Sequence, residues 1–405
     1  MSLYLERYAW QEIVIDPSSA GNPDIIIVIP AFNEPELEKA IESLQICHSP
    51  QGEMLILVII NEGENVSEDI HRVNNLNHQL LTERNFHFKT KSCFLRLPDK
   101  KAGVGLARKI GMDTAVRIFT HNHKSGIIIC FDADCVCENN LLTEVEKQFN
   151  QTDCNTALTF YEHPLNGENP EAILNYELYL RYYVDALRWV GFPYAFQTLG
   201  SCISVRSDAY EKQGGMNTRK AGEDFYFINK MTAVGKIYEI NTTTIYPSDR
   251  LSDRVPFGTG HAIDQYLTKG DPEYPVYSPK IFEDLKALFD QLPYIYQTGE
   301  LLKTTPDSIQ SFLKDQLFKD RLKEIFNHSS DYPSFRKRFF HWMDGLKVLK
   351  LVHHCRDKYY PNVPLMEAIN WLETQYLKPK SKYKNKKEAL LKIRKADRQH
   401  LFQIK

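Results

Sequence analysis

A chain of 405 residues with 42% hydrophobic and 25% charged content carries enough apolar sequence for one large domain or two ordinary ones, and is not globally disordered. The formal net charge of −2 argues neither for nor against a polyanionic partner, and no nucleic-acid partner is expected. No stretch reaches the roughly 18 uncharged apolar residues of a membrane span.

In chain order, Asp24 to Pro30 is a continuous β-branched run ended by proline, the pattern of a fully buried strand. Leu37, Ala40, Ile41 and Leu44 then recur at helical spacing and predict a helix over Glu34–Ile46. Leu55 to Ile60 is a second buried strand, Gly103 to Phe119 a helix, and Gly126 to Phe131 a strand running directly into Asp132. Buried strands without polar alternation, separated by helices, imply an α/β fold with a mostly parallel sheet covered on both faces. Beyond residue 265 the segments Ile281–Gln291, Ser308–Phe326 and Phe335–His353 are amphipathic helices with no buried β-run between them. The expected organisation is a catalytic domain over 1–264 and an α-helical region over 265–405.

Ligands of a parallel sheet bind at the carboxyl ends of its strands, which directs attention to three segments. After the first strand come Asn33 and Glu34, which suit either side-chain contacts to a nucleotide or, for Asn33, the cap of the following helix. After Phe131 come Asp132, Ala133 and Asp134. Two carboxylates one residue apart at a strand end offer Mg²⁺ or Mn²⁺ a half-site that a nucleotide diphosphate completes. Glu223 and Asp224 open a helix, where they serve either as ordinary first-turn acids or as a general base for an acceptor hydroxyl.

Together these segments resemble family-2-type inverting glycosyltransferases of the GT-A fold, over roughly residues 24–264. The Pro-x-x-Asn-Glu turn is matched by Pro30 to Glu34. The Gly-x-x-x-Ala-Arg-Asn-x-Gly segment is matched by Gly103, Ala107, Arg108 and Gly111, with Lys109 in place of Asn. Asp132 and Asp134 match the Asp-x-Asp. Downstream, the strand ending at Arg206, then Gly214-Gly215 and Glu223-Asp224, follow in the family's order. The second strand departs: Asn61-Glu62-Gly63-Glu64-Asn65 stands where the family has an Asp-Asp-x-Ser type pair, which leaves uridine and guanosine donors both open.

The resemblance implies a nucleoside diphosphate sugar donor, a carbohydrate or lipid-linked acceptor, and Mn²⁺ or Mg²⁺ as cofactor. Asp134 is expected to bind the metal directly, with Asp132 on the ribose or on the metal through water, and His261 as a further ligand. Asp224, with Glu223 beside it, is the expected base. Donor contacts are expected from Pro30, Asn33, Glu34, Asn61, Glu62, Lys101, Arg108, Asp132, Ala133, Arg250 and Arg254. The two arginines suit bidentate contact with phosphate, and Gly258-Thr259-Gly260 suits a hinge. A retaining transferase and a non-catalytic nucleotide-sugar-binding protein of the same fold are the alternatives.

Three features stay outside that scheme. Tyr182, Tyr183, Trp189, Phe192 and Tyr194 form an aromatic stripe that reads as core or as an acceptor wall. His121/His123 and His353/His354/Cys355 lack partners at metal-site spacing, and the cysteines, Cys130, Cys135 and Cys137 among them, read as small buried thiols. Lys378 to Lys405 carries eleven Lys or Arg against Glu388 and Asp397, and reads either as a solvated tail or, with Leu390, Leu391, Ile393, Leu401 and Phe402, as a peripheral membrane contact. Met1 to Trp10 has no apolar signal-peptide core, so a cytoplasmic, reducing setting is expected.

Overall fold

The structure is a computed structural model that describes residues 2–218, 222–250, 259–376 and 383–401. It divides into two compact units: residues 1–169 with 198–261, and residues 170–197 with 262–405.

The first unit is built on one eight-stranded sheet: β1 (Ile25–Ala31), β2 (Met54–Gly63), β3 (Lys89–Leu97), β4 (Ile127–Cys130), β5 (Val136–Cys137), β6 (Thr156–Tyr161), β7 (Ile203–Arg206) and β8 (Ile237–Tyr246). Its strand order is β3-β2-β1-β4-β7-β6-β8-β5. β3, β2, β1 and β4 run parallel, β6 runs parallel to β8, β7 is antiparallel to both its neighbours, and β5 is antiparallel to β8. The unbroken β-branched runs explain the parallel half. Every residue of β1, β2 and β4 is buried, and each fully buried Ile or Val side chain contributes roughly 1.5–3 kcal/mol. The helix Val104–His121 lies against β1 and β2, and Gly111 permits its close approach: a Cβ there would overlap Val28.

Register fixes where the site lies. Ala31 pairs with Ile60 and Val28 with Cys130, so the segments after β1, β2 and β4 emerge together at one edge of the sheet. One boundary differs from the periodicity. The first long helix runs Leu37–Gln45 with Glu36 at its N-cap position, because Asn33 holds left-handed backbone (φ 47°) and Pro35 follows it. Asn33 therefore does not cap the helix.

The second unit is helical. Ser308–Phe326 is two helices, Asp307–Asp315 and Phe318–Asn327, separated where Leu317 turns left-handed (φ 52°). Phe335–His353 is likewise two, Tyr332–Trp342 and Gly345–Lys358, the latter capped by the Asp344 side chain, which accepts the Lys347 N–H at 2.8 Å. The unit also includes the helix Pro170–Trp189, which lies within the span expected to be catalytic. Tyr182 and Phe192 are buried in the core, with the Tyr182 ring edge-on to Phe282 at 5.5 Å.

The basic tail is corrected at its described helix, Lys386–Arg398. Ala389, Leu390 and Ile393 are buried in the helical unit, so that apolar face is neither frayed nor turned to a membrane. Leu391 and Leu401 are exposed, and Phe402 lies outside the described residues. His353 and His354 contact Tyr277 and Ser311 rather than a shared ligand, and all eight cysteines are free and buried. Among the described residues no helix is long and apolar enough to cross a membrane.

Candidate active site

The turn after β1 is held from beneath by buried amides. The Asn33 N–H donates to Asn74 Oδ1 at 2.8 Å, and Asn74 Nδ2 donates to Glu62 Oε2 at 3.0 Å. Glu62 Oε1 meets His71 Nδ1 at 2.7 Å and Arg96 Nε at 3.2 Å. Asn77 Nδ2 donates to the Glu34 carbonyl at 2.7 Å. Glu62 has no exposed surface, and Asn61, buried as well, donates to the Ala31 carbonyl at 3.3 Å. Direct donor contact by Asn61 or Glu62 is therefore corrected: burial and protein partners make them supports of the turn. Pro30 is buried in β1.

His71, Asn74 and Asn77 were missed by sequence reasoning. Their signal was available as polar residues at i, i+3 and i+6, one face of the helix Glu68–Glu83.

Glu34 is buried too. Its Oε1 accepts the Glu36 N–H at 3.0 Å and its Oε2 accepts from Arg250 Nη2 at 2.6 Å. Burial opposes charge on the Arg250 guanidinium, but the Glu34 hydrogen bond and the nearby Asp134 carboxylate outweigh it and raise its pKa. Arg250 thus joins the β1 turn to the acidic motif electrostatically. Asp134 and Asp132 are both half-buried, Ala133 between them is buried, and the Cys135 N–H closes the turn on the Asp132 carbonyl at 3.1 Å.

Arg108 is the hub of the site. Its side chain is buried to 2% exposure, its Nη2 bonds Asp132 Oδ1 at 2.5 Å, and its Nη1 pairs with Glu223 Oε1. Burial opposes its charge, but the Asp132 and Glu223 carboxylates outweigh that and raise its pKa. Gly200 makes room for this arrangement, since a Cβ there would lie 2.7 Å from Arg108 Nη2. Glu223, expected beside the base, is the buried partner of Arg108.

Asp224, the next residue, stays partly exposed, and its Oδ1 accepts the Phe225 N–H at 2.7 Å. Burial first, then the negative charge of Glu223, lifts its carboxyl to about 7, with Arg108 pulling the other way.

Lys101 is exposed in the turn before the helix Val104–His121. Arg254 and Gly258 lie outside the described residues. His261 is half-buried at the start of the helix Thr259–Lys269, and among the described residues no group of three His, Cys, Asp or Glu is placed to hold a metal. The expected three-ligand set with His261 is thus not assembled. What is present fits a half-site: Asp132 and Asp134 at a strand end, the donor set that Mg²⁺ or Mn²⁺ uses when substrate phosphates supply the other oxygens.

The first unit thus combines a mostly parallel sheet, an acidic pair at a strand end and a helix-borne carboxylate beside it. No family model matches the sequence, and no curated protein matches it. Among solved structures the chain is similar to S. aureus TarS 1-349 in complex with UDP-GlcNAc, at 11% identity over 80% of this chain and 92% of that one, with a TM-score of 0.41. It is similar to the same TarS fragment in complex with UDP, at 14% identity over the same shares, 80% and 92%, with a TM-score of 0.38. It is also similar to GalNAc-T7 with UDP, GalNAc and Mn²⁺, at 13% identity over 71% and 59%, with a TM-score of 0.38.

Proposed function

We propose that this chain is an inverting, divalent-metal-dependent glycosyltransferase that moves a sugar from a nucleoside diphosphate sugar to a hydroxyl acceptor. The observation that carries the reading is Asp224: a partly exposed carboxyl lifted to about 7, one residue from the Glu223–Arg108–Asp132 chain. A carboxylate of that basicity is suited to take a proton from an acceptor hydroxyl near neutral pH. Arg108 positions it by fixing Glu223 on the helix and Asp132 on the strand end in a single buried unit. Asp132 and Asp134 would hold the metal, which when bound supplies charge neutralisation for the departing diphosphate. Arg250 adds positive charge on the same side of the acidic motif. With the base acting on the incoming hydroxyl and the diphosphate leaving opposite, the anomeric configuration inverts.

The test is thermal unfolding with UDP, GDP, CDP and dTDP, each with and without Mn²⁺, on the wild type and Asp134→Ala. A ligand at 100 times its Kd adds about 2.7 kcal/mol, which corresponds to a rise of roughly 5–10 °C. The expected outcome is a Mn²⁺-dependent rise for one nucleotide that Asp134→Ala abolishes. Folded protein that responds to none of the four overturns the donor-site reading.

A further inference from the structure

The helical unit contains a cavity of about 340 Å³ that the proposed transfer chemistry does not use. Tyr194, from the segment after the helix Pro170–Trp189, forms one side, and Tyr332, Pro333, Arg336, Lys337 and Phe340 of the helix Tyr332–Trp342 form much of the rest. The size lies in the range of small-molecule sites, roughly 300–1,000 Å³.

Its aromatic walls are anchored from behind. Tyr332 packs on Tyr296 at 5.6 Å, while Phe192 packs on Tyr194 at 5.6 Å and on Phe340 at 6.0 Å. Rigid rings of this kind are available to a ligand at little ordering cost.

The charge on the lining has one sign. The Arg336 guanidinium sits over the Phe340 ring at 5.0 Å, which holds it at the cavity. Lys337 is exposed beside it, and neither residue forms an ion pair with a described residue. Among the described residues no Asp or Glu lines the cavity. The nearest acid in sequence, Asp331, is engaged at the helix cap, where it accepts the Ser334 N–H at 2.8 Å. Its described lining also has no Asn, Gln, Ser or Thr, the side chains suited to reading the edge of a nucleobase.

We propose that this cavity binds an anionic saccharide, a sugar ring bearing a phosphate or carboxylate. The apolar C–H face of the ring lies on the tyrosine walls, and the anion is met by Arg336 and Lys337, whose donors match phosphate and carboxylate. The site acts by binding alone and does not depend on Asp224.

The test is ligand-observed NMR and titration calorimetry on the full chain with glucose 6-phosphate, glucuronate, glucose, inorganic phosphate and UMP. Glucose 6-phosphate and glucuronate are expected to bind. Glucose and inorganic phosphate alone are expected to bind at least tenfold more weakly, since each lacks one half of the match. The exposed double variant Arg336→Glu/Lys337→Glu should unfold at an unchanged temperature and lose the anionic sugars by at least tenfold. Asp224→Asn should bind them as the wild type does, which separates this site from the transfer reaction. Three outcomes overturn the proposal: binding indifferent to the double charge reversal, inorganic phosphate as tight as the sugar phosphate, or UMP tighter than both sugars.

Discussion

As the proposed base, Asp224 would couple chemistry and stability in opposite directions. Its folded-state pKa of about 7 lies above its ordinary value of 3.8, so the native protein holds this proton more tightly than the unfolded chain does. The stability it contributes is fully present below about pH 3.8 and is lost as pH rises through about 7. A general base is needed deprotonated, so turnover should rise across the same upper limit. Asp224→Asn removes both effects. Turnover should fall by roughly 10²–10⁴-fold, while unfolding temperature should decline less from pH 5 to 8 than in the wild type. The comparison is scanning calorimetry of the nucleotide-free, metal-free proteins across that range, alongside steady-state rates. Parallel stability profiles in the two proteins would rule out the raised carboxyl as their source.

At the scale of elements, the helices Pro170–Trp189 and Lys386–Arg398 are joined by charges taken out of water. Glu177 accepts from Arg181 Nε at 2.8 Å and from Arg394 Nη2 at 2.6 Å, and Asp397 accepts from Arg181 at 2.5 Å and Arg188 at 3.2 Å. A buried pair is weak evidence for net stability, but removing one partner strands the other and costs roughly 3–5 kcal/mol. Glu177→Gln should therefore lower the unfolding free energy of the helical unit, measured by urea denaturation, by an amount on that order. Leu391→Ala, on the exposed face of the same C-terminal helix, should change it by under about 0.5 kcal/mol. Equal effects from the two would show that the charges do not hold the helix. The sequence displayed this tail as a run of Lys and Arg, because the carboxylates that meet Arg394 lie more than 200 residues upstream. The same limit applies to Glu62, whose place after a buried strand suggested a donor contact. Its neighbours His71, Asn74 and Arg96 come from other elements and occupy it. By contrast, β1, β2 and β4 were legible because continuous β-branched runs are buried wherever the sheet places them. The placement of Asp132 at a strand end and of Asp224 at a helix start was legible because such a position is itself a local property.

The whole molecule shows where local reading stops. The chain enters the helical unit at residue 262 and also makes an earlier excursion into it over 170–197, which was not legible in the sequence. An amphipathic helix declares that it has a buried face; which layer covers that face is a matter of tertiary contact. Here the cover comes from the helices Pro279–Asp290, Leu365–Tyr376 and Lys386–Arg398. A chain ending at residue 264 would keep Pro170–Trp189 and lose all three. Leu178 and Tyr182, buried in the full chain, would be left uncovered, and Glu177 and Arg181 would lose the partners Arg394 and Asp397 supply. An exposed apolar face of that kind promotes association. The truncated chain should therefore elute as aggregate in size-exclusion chromatography and bind a hydrophobic dye, where the full chain does not. A soluble 1–264 chain that unfolds cooperatively and responds to a nucleotide with Mn²⁺ would instead mean that the sheet unit can cover the 170–197 segment by itself.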